Sequence, residues 1–326
     1  MNKPHWIAIS CKAALAAALM LAPLPGWGQA KVDDAKAKAR AEVRAKRDAV
    51  NFKNNASVIT FYERNGKKVG TAGERSMYEE TVLSPDRTRV AVVKDDLAAE
   101  NADLWILDVA TGKSIRMTTS ARDEFVQAPV WSPDGSQVAY VEIRSGKEAI
   151  YQRASNGEGP EKLLYKNPGA FLNLTDWSAD GRFLSFAVSD LSGGVLYVLP
   201  LTGSTDPKPI EVFRSKSRLF GPRFSPDGRF LSYTVVNTGV RNEIFVRPFN
   251  ASGAASAGAG ESQVSAGAVG TAYWRRDGKE LYYLAPDLTV MVAKVSTAPR
   301  NVRISKRVCG FGWAPKRVTV LLLMST

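Results

Sequence analysis

The sequence predicts an all-β fold of the β-propeller class, and three observations lead to that prediction. A tight-turn motif recurs at a nearly constant interval, most intervals hold four runs with strand-like alternation, and helical periodicity is absent from residue 57 onward. A repeat of about 40–50 residues with four short strands describes one propeller blade. The missing helical period argues against α-solenoids and βαβ units.

The repeated motif is clearest in FSPDGRFLSY, residues 224–233. Pro favours the second position of a type I turn, Asp accepts hydrogen bonds from nearby N–H groups, and Gly closes the turn without steric cost. The residues after the turn alternate with the period of a strand. The five copies are VLSPDRTRVAVV at 82–93, VWSPDGSQVAYV at 130–141, DWSADGRFLSFA at 176–187, RFSPDGRFLSYT at 223–234 and YWRRDGKELYYL at 273–284, with cores at 83–92, 131–140, 177–186, 224–233 and 274–283.

The turn residues are predicted to be structural. The aspartates are separated by 48, 46, 47 and 50 residues, and they are Asp86, Asp134, Asp180, Asp227 and Asp277. Four of them precede a turn glycine: Gly135, Gly181, Gly228 and Gly278. A catalytic or Ca²⁺-binding role is the less favoured alternative for these aspartates. The aromatic residues before the turns are expected to pack between blades, with ligand stacking as the alternative; they are Trp131, Trp177, Phe224 and Trp274.

Charge divides the chain into three predicted parts. The net charge is +12, of which residues 1–30 contribute +2, residues 31–56 contribute +4 and residues 299–326 contribute +6. The region 57–298 holds 28 basic and 28 acidic residues and is neutral, so we expect no nucleic-acid binding. We divide the chain into a leader, a charged helical or flexible spacer, and a propeller at 57–326.

Residues 1–30 have the pattern of a secretory signal peptide. Lys3 precedes the apolar run ALAAALMLAPL at 14–24, and small residues end the segment at Ala30, where cleavage is expected. The apolar run is short for a membrane span, so no transmembrane segment is expected in the mature chain. A periplasmic or secreted location follows, and retention of the leader as an anchor is the alternative.

The residue inventory argues against most catalytic chemistry. His5 is the only histidine and lies in the leader, which excludes Ser-His-Asp, Cys-His and His-metal sites from the mature chain. The two cysteines, Cys11 and Cys309, have no metal-binding or disulfide spacing. No nucleotide-binding loop is present. We therefore expect no catalytic residue, cofactor or metal. A glycosidase-type carboxylate pair at the propeller channel is the remaining enzymatic alternative.

The segments WSPDGSQVAY and FSPDGRFLSY resemble the TolB-type, WD-like propeller repeats of bacterial periplasmic proteins. The resemblance covers residues 57–298. The segments IFVRPF and YWRRDGKELYYL are similar to the C-terminal propeller of some bacterial eukaryotic-like serine/threonine kinases, although no kinase motif is present. The resemblance implies an exported, non-catalytic propeller module that binds a protein, a peptide or another ligand in the periplasm or cell envelope. We expect the chain to be a monomer. A sensory propeller separated from a signalling kinase is a further alternative.

TolB-like rings usually have six blades, so the sequence predicts five clear repeats and a degenerate sixth. The segment FGWAPKRVTVLLL at 311–323 looks like a degenerate copy of the turn motif. Residues 57–73 look like two strands joined by a turn at Arg64-Asn65-Gly66. We expect the C-terminal strands to form the inner half of the last blade and the N-terminal pair its outer half. The alternative is that residues 299–326, which are basic and lack acidic groups, are an aberrant tail.

Overall fold

The structure, a computed structural model, describes residues 56–63, 67–169, 171–203, 207–236, 242–250, 260–287, 289–298, 301–312 and 318–323. Four predicted segments lie outside the described residues: the signal peptide, residues 31–55 of the spacer, the turn at 64–66, and residues 313–317 of the degenerate motif copy. By its internal contacts the chain divides into two units, Met1–Ala56 and Ser57–Thr326. The described secondary structure is all β, which confirms the predicted fold class.

The strands follow the predicted repeat, with the turn motif between the first and second strand of each period. In chain order they are β1 (Ser57–Glu63), β2 (Lys68–Ser76), β3 (Tyr78–Leu83), β4 (Arg89–Asp96), β5 (Asn101–Asp108), β6 (Ser114–Arg116), β7 (Phe125–Trp131), β8 (Gln137–Arg144), β9 (Lys147–Ala154), β10 (Lys162–Lys166), β11 (Phe171–Trp177), β12 (Phe183–Asp190), β13 (Gly193–Pro200), β14 (Ile210–Ser215), β15 (Arg218–Phe224), β16 (Phe230–Val236), β17 (Asn242–Pro248), β18 (Ser262–Trp274), β19 (Glu280–Leu284), β20 (Thr289–Ala298), β21 (Asn301–Gly312) and β22 (Val318–Leu323).

Each period forms a four-stranded antiparallel sheet. The first three sheets are β3 to β6, β7 to β10 and β11 to β14, in chain order, and a single parallel pairing of Ala102 with Phe125 joins the first two. The fourth sheet is β15 to β17 with the first half of β18, and the fifth is the second half of β18 with β19 to β21. One continuous strand, β18, therefore belongs to two sheets, and its register shifts between Val269 and Tyr273.

The apolar core lies between successive sheets. Second strands are buried on both faces because alternate side chains enter the core on either side. In β4, Ala91 packs toward the second sheet, whereas Val90 and Val92 pack against β1 and β2. The same sorting recurs in β16, where Phe230 and Leu231 belong to different clusters. The sequences of these second strands are therefore short, continuous apolar runs.

The two ends of the propeller region meet in one sheet. Strand β22 pairs in parallel with β1, from Val58 opposite Val318 to Glu63 opposite Leu323, and β1 pairs antiparallel with β2. Strand β22 also lies beside β3, the first strand of the first sheet. The segment before β22 differs from the expectation, because β21 completes the fifth sheet as its fourth strand. The number of blades stays a prediction, since residues 313–317 between these strands are outside the described ranges.

Candidate binding site on the first strands

The structure places every predicted turn residue in a tight turn. In the second copy, the N–H of Gly135 donates to the carbonyl of Ser132 at 2.9 Å, and Asp134 Oδ1 accepts from the N–H of Ser136 at 3.0 Å. The equivalent carboxylate bond, at 3.0–3.1 Å, is made by Asp86, Asp180, Asp227 and Asp277. The turn glycines have φ between 68° and 75°, which favours glycine; they are Gly135, Gly181, Gly228 and Gly278.

Sequence reasoning missed the serine that opens four of these turns. Ser132 Oγ donates to Asp134 Oδ1 at 2.6 Å and accepts from the N–H of Gln137 at 2.9 Å. The hydroxyl thus joins the turn to the start of the second strand. The same pair of bonds is made by Ser84, Ser178 and Ser225. Serine at this position in four of five copies was the available signal, and the fifth copy has Arg275 there.

These bonds stabilise the ionised carboxylates. The hydroxyl of Ser132 and the N–H of Ser136 lower the pKa of Asp134 to about 2, and the equivalent bonds from Ser84 and Thr88 lower the pKa of Asp86 to about 2. At Asp227, burial opposes the effect but the bonds from Ser225 and Arg229 outweigh it, so that pKa is also lowered. The turn aspartates are therefore engaged with their own turns.

A second set of polar contacts links the first strands of successive sheets, one repeat apart. These strands pack side by side, as the innermost strands around a propeller channel do. Glu80 Oε2 accepts from the N–H of Ala128 at 3.0 Å. Asn173 Oδ1 accepts from the N–H of Gly221 at 3.0 Å, and Asp176 Oδ2 accepts from that of Phe224 at 2.8 Å. Each first strand has a register shift near these contacts, which frees an N–H group to face the neighbouring sheet.

Three of these strands bring together the candidate site, which we name the Asp-Arg-Tyr row: Asp176, Arg223 and Tyr273. Each lies four residues before its turn aspartate. Arg223 Nη1 lies 3.9 Å from Asp176 Oδ1, and the Arg223 guanidinium lies 4.2 Å from the centroid of the Tyr273 ring. Tyr273 is 50% exposed, whereas the side chains of Arg223 and Asp176 are 22% and 23% exposed. The row is thus open to solvent at Tyr273 and more enclosed toward Asp176.

Burial controls the electrostatics of the row. Desolvation raises the pKa of Asp176 to about 6, although Arg223 and the N–H groups of Phe224 and Trp177 favour its ionised form. Burial also raises the pKa of Glu80, against the hydrogen bond from Ala128. Two first-strand carboxylates therefore carry an elevated proton affinity while already serving as acceptors for the next sheet.

The aromatic residues before the turns lie between sheets. Trp131 is buried against the first sheet and its Nε1–H donates to the carbonyl of Val82 at 2.9 Å. Trp274 Nε1–H donates to the carbonyl of Arg223 at 3.3 Å, which ties it to the Asp-Arg-Tyr row. Trp177 differs, because its Nε1–H donates to the carbonyl of Gly181 within its own turn at 3.0 Å. Phe224 packs on Phe183 and Phe249.

Two further properties of the described residues bear on the kind of site. Across the described ranges, no three His, Cys, Asp or Glu side chains are grouped so as to hold a metal ion. The part of the chain that the structure describes also contains no helix with the length and hydrophobicity to span a membrane.

Comparison with solved structures identifies the class of fold. TolB from Acinetobacter baumannii superposes with a TM-score of 0.55 at 17% identity, covering 76% of this chain and 57% of that chain. A putative TolB from Agrobacterium tumefaciens has the same TM-score at 19% identity, covering 78% of this chain and 90% of that chain. The chain therefore has a TolB-like β-propeller fold, and at these identities the likeness concerns the fold alone.

Comparison with curated proteins finds relatives of two kinds. An uncharacterized peptidase, YuxL of Bacillus subtilis (strain 168), is 31% identical over 134 residues, which is 40% of this chain and 20% of that protein. The Tol-Pal system protein TolB of Alcanivorax borkumensis is 28% identical over 115 residues, 35% of this chain and 26% of its own length. The matches thus span about a quarter or less of these relatives. No protein-family model matches the chain.

Proposed function

We propose that this protein is an exported, non-catalytic propeller that binds a protein or peptide partner in the bacterial periplasm or cell envelope. The observation that carries the proposal is the Asp-Arg-Tyr row, where a half-exposed aromatic ring and a guanidinium lie together on adjacent first strands. Tyr and Arg are the residue types that most often dominate binding energy at protein interfaces. The TolB-like fold and the N-terminal leader pattern support an envelope location.

Export and partner binding can be tested together. The full chain with a C-terminal affinity tag is expressed in its native cells, which are cross-linked and separated into cytoplasm, periplasm and membranes. We expect the tagged protein in the periplasmic or membrane fraction, beginning at Lys31, with a discrete cross-linked species that mass spectrometry identifies. A tagged Tyr273→Ala variant of unchanged melting temperature is the matched control, and it should lose that species. A chain that retains residues 2–30 in the soluble cytoplasm would contradict export.

The similarity to YuxL favours a second candidate function, peptide hydrolysis. That relative is named a peptidase, and the first-strand carboxylates of Glu80 and Asp176, whose pKa values are raised, offer groups that could transfer a proton. Against this function, each carboxylate already accepts a backbone N–H from the next sheet. The purified chain is assayed with Ala-Ala-p-nitroanilide, and we expect no release of nitroaniline. Release that Asp176→Asn abolishes would establish the hydrolase instead.

We further propose that the turn aspartates are structural and that residues 57–326 form one monomeric propeller preceded by a cleaved leader and a spacer. The lowered pKa values of Asp86 and Asp134 support the structural role, because their oxygens are already bonded within the turn. Analytical ultracentrifugation of the mature chain tests the monomer.

A further inference from the structure

Arg223 carries the one buried side-chain polar atom on the described first strands that has no hydrogen-bond partner. Its Nε is buried without a hydrogen-bond partner, and its Nη1 is 3.9 Å from Asp176 Oδ1, beyond hydrogen-bonding distance. Asp176 directs its other oxygen, Oδ2, to the N–H of Phe224. A buried polar group without a partner is costly and calls for an explanation.

Arg89 shows what a purely structural arginine between sheets looks like in this fold. Its guanidinium also lies near an aromatic ring, 5.0 Å from the centroid of Trp131. Unlike Arg223, it donates from Nη1 to Ser155 Oγ and from Nη2 to the carbonyl of Gly135, each at 2.9 Å. Arg89 therefore joins two sheets with two hydrogen bonds from its guanidinium, whereas the Arg223 guanidinium also lies near an aromatic ring but makes no such bond.

The surroundings of Arg223 select the kind of ligand that could use those donors. The Arg223 guanidinium lies over the Tyr273 ring, a contact that occupies none of its N–H donors with an acceptor atom, and a carboxylate binds a guanidinium through those donors. Asp176 already supplies one negative charge nearby, which disfavours a dianion such as phosphate. The half-exposed ring of Tyr273 offers apolar contact to the atoms that carry the acid group.

We propose that Arg223 binds a carboxylate of a peptide ligand, with Tyr273 as the wall of the site. The carboxylate belongs either to a peptide C-terminus or to an Asp or Glu side chain. The inference rests on the binding-module function proposed above and names its recognition site. Asp176 lowers the affinity of the site for the ligand, since it faces Arg223 and its negative charge repels the carboxylate.

The test uses three acetylated tripeptide probes followed by NMR, with the Arg Nε–H resonances and ligand saturation transfer as readouts. Ac-Ala-Ala-Ala with a free carboxylate tests the C-terminus, Ac-Ala-Glu-Ala-amide tests a side-chain acid, and Ac-Ala-Gln-Ala-amide is the neutral control. We expect at least one acidic probe to bind and the neutral probe to bind at least about tenfold more weakly.

Variants assign the binding to the row. Arg223→Gln should weaken the acidic probe at least about tenfold, and Arg223→Lys should be intermediate because it keeps the charge but not the planar fork. Arg182→Gln, an exposed arginine paired with its own turn aspartate, is the matched control and should bind as the wild type does. Asp176→Asn should strengthen binding at pH 7.5, which a merely structural role for Arg223 would not produce, and it remains informative if Arg223→Gln fails to fold.

Equal binding of the neutral probe, or unchanged binding by a folded Arg223→Gln variant, would overturn the carboxylate site. If Arg223→Gln captures the same cross-linked envelope partner as the wild type, the site is wrong while the binding function stands. If acidic probes bind but no envelope partner is captured, the site stands and the partner-binding function is wrong.

Discussion

Arg276 donates a hydrogen bond from Nη2 to the backbone carbonyl of Pro85 at 2.7 Å, which joins the turn of the fifth sheet to the turn of the first. These residues are 191 positions apart. Together with the pairing of β22 on β1, the bond brings the beginning and the end of the repeats together at two places. The exposed Arg276 side chain contributes little by itself, so the stability of this junction depends mainly on the strand pairing.

Deletion of residues 313–326 removes β22 and leaves β21 in the fifth sheet. Because β1 then loses its parallel partner and exposes a strand edge, we expect the melting temperature to fall by several degrees, or the protein to aggregate. Differential scanning calorimetry measures the shift, and Arg276→Ala, which removes only the turn contact, should melt near the wild type. An unchanged melting temperature for the deletion would favour the aberrant-tail alternative.

Asp134→Ala should reduce the free energy of unfolding by about 0.5–2 kcal/mol at pH 7, because Ser132 Oγ and the N–H of Ser136 lose their acceptor. Urea denaturation provides the measurement. Since the folded pKa of Asp134 is lowered to about 2 from 3.8, this contribution is present above pH 4 and disappears as the pH falls toward 2.

Asp277→Ala is the matched comparison for Asp134→Ala. Its turn has Arg275 in place of the serine, and Asp277 Oδ1 accepts the N–H of Lys279 without a turn hydroxyl. We therefore expect a smaller loss than at Asp134. Equal urea-denaturation midpoints for the wild type and both variants would argue against the structural role of the aspartates and in favour of a role in ligand binding.

Asp176→Asn should stabilise the protein at pH 8 and have little effect below pH 4. In the folded protein the pKa of Asp176 is raised to about 6 from 3.8, so the folded state binds the proton more tightly than the unfolded state does. The free energy of unfolding is therefore highest when Asp176 is protonated, and it falls as the pH rises from about 4 to 6. An amide avoids the cost of ionisation and keeps an oxygen for the N–H of Phe224. The expected gain at pH 8 is of the order of 1–3 kcal/mol.

Asp190→Asn serves as the control of opposite sign in the same urea titrations. The bonds from Ser192 lower the pKa of Asp190, so its substitution should destabilise the protein at neutral pH, and this loss should diminish as the pH falls below 3.8. A pH-independent effect of Asp176→Asn would contradict the raised pKa.

Gly221→Ala should destabilise the protein by more than about 2 kcal/mol. Gly221 has a φ of 62°, and a Cβ there would lie 1.9 Å from Cγ2 of Thr271 on the neighbouring first strand. Gly112→Ala has a similar φ of 70° with no atom within 4 Å, so it isolates the backbone strain, about 1 kcal/mol. Thermal unfolding compares the two, and Thr271→Ala combined with Gly221→Ala should recover part of the loss. Equal effects at both glycines would rule out the close approach of these strands.

The sequence predicted the features that depend on local chemistry. Turn residues determine their own geometry, and strands between two apolar cores show uninterrupted hydrophobic runs, so five copies reinforced one another. The Asp-Arg-Tyr row was missed because Asp176, Arg223 and Tyr273 share a repeat position but no chemistry. Comparing that position between copies could have found it. The assignment of β21 to the fifth sheet and the parallel pairing of β22 depend on long-range contacts that carry no local signal.

The continuous strand β18 sets limits on how this chain can be cut and rejoined. Elsewhere, as between β10 and β11, the chain leaves one sheet and enters the next through a connecting segment, where new termini in a circularly permuted chain would sever no strand. Within β18, the same backbone supplies the fourth sheet with its edge and the fifth sheet with its first strand. A chain break within β18 would therefore disrupt the strand pairing of both sheets. Because the two sheets share this strand, we expect their amide groups to gain or lose protection from hydrogen exchange as one cooperative unit.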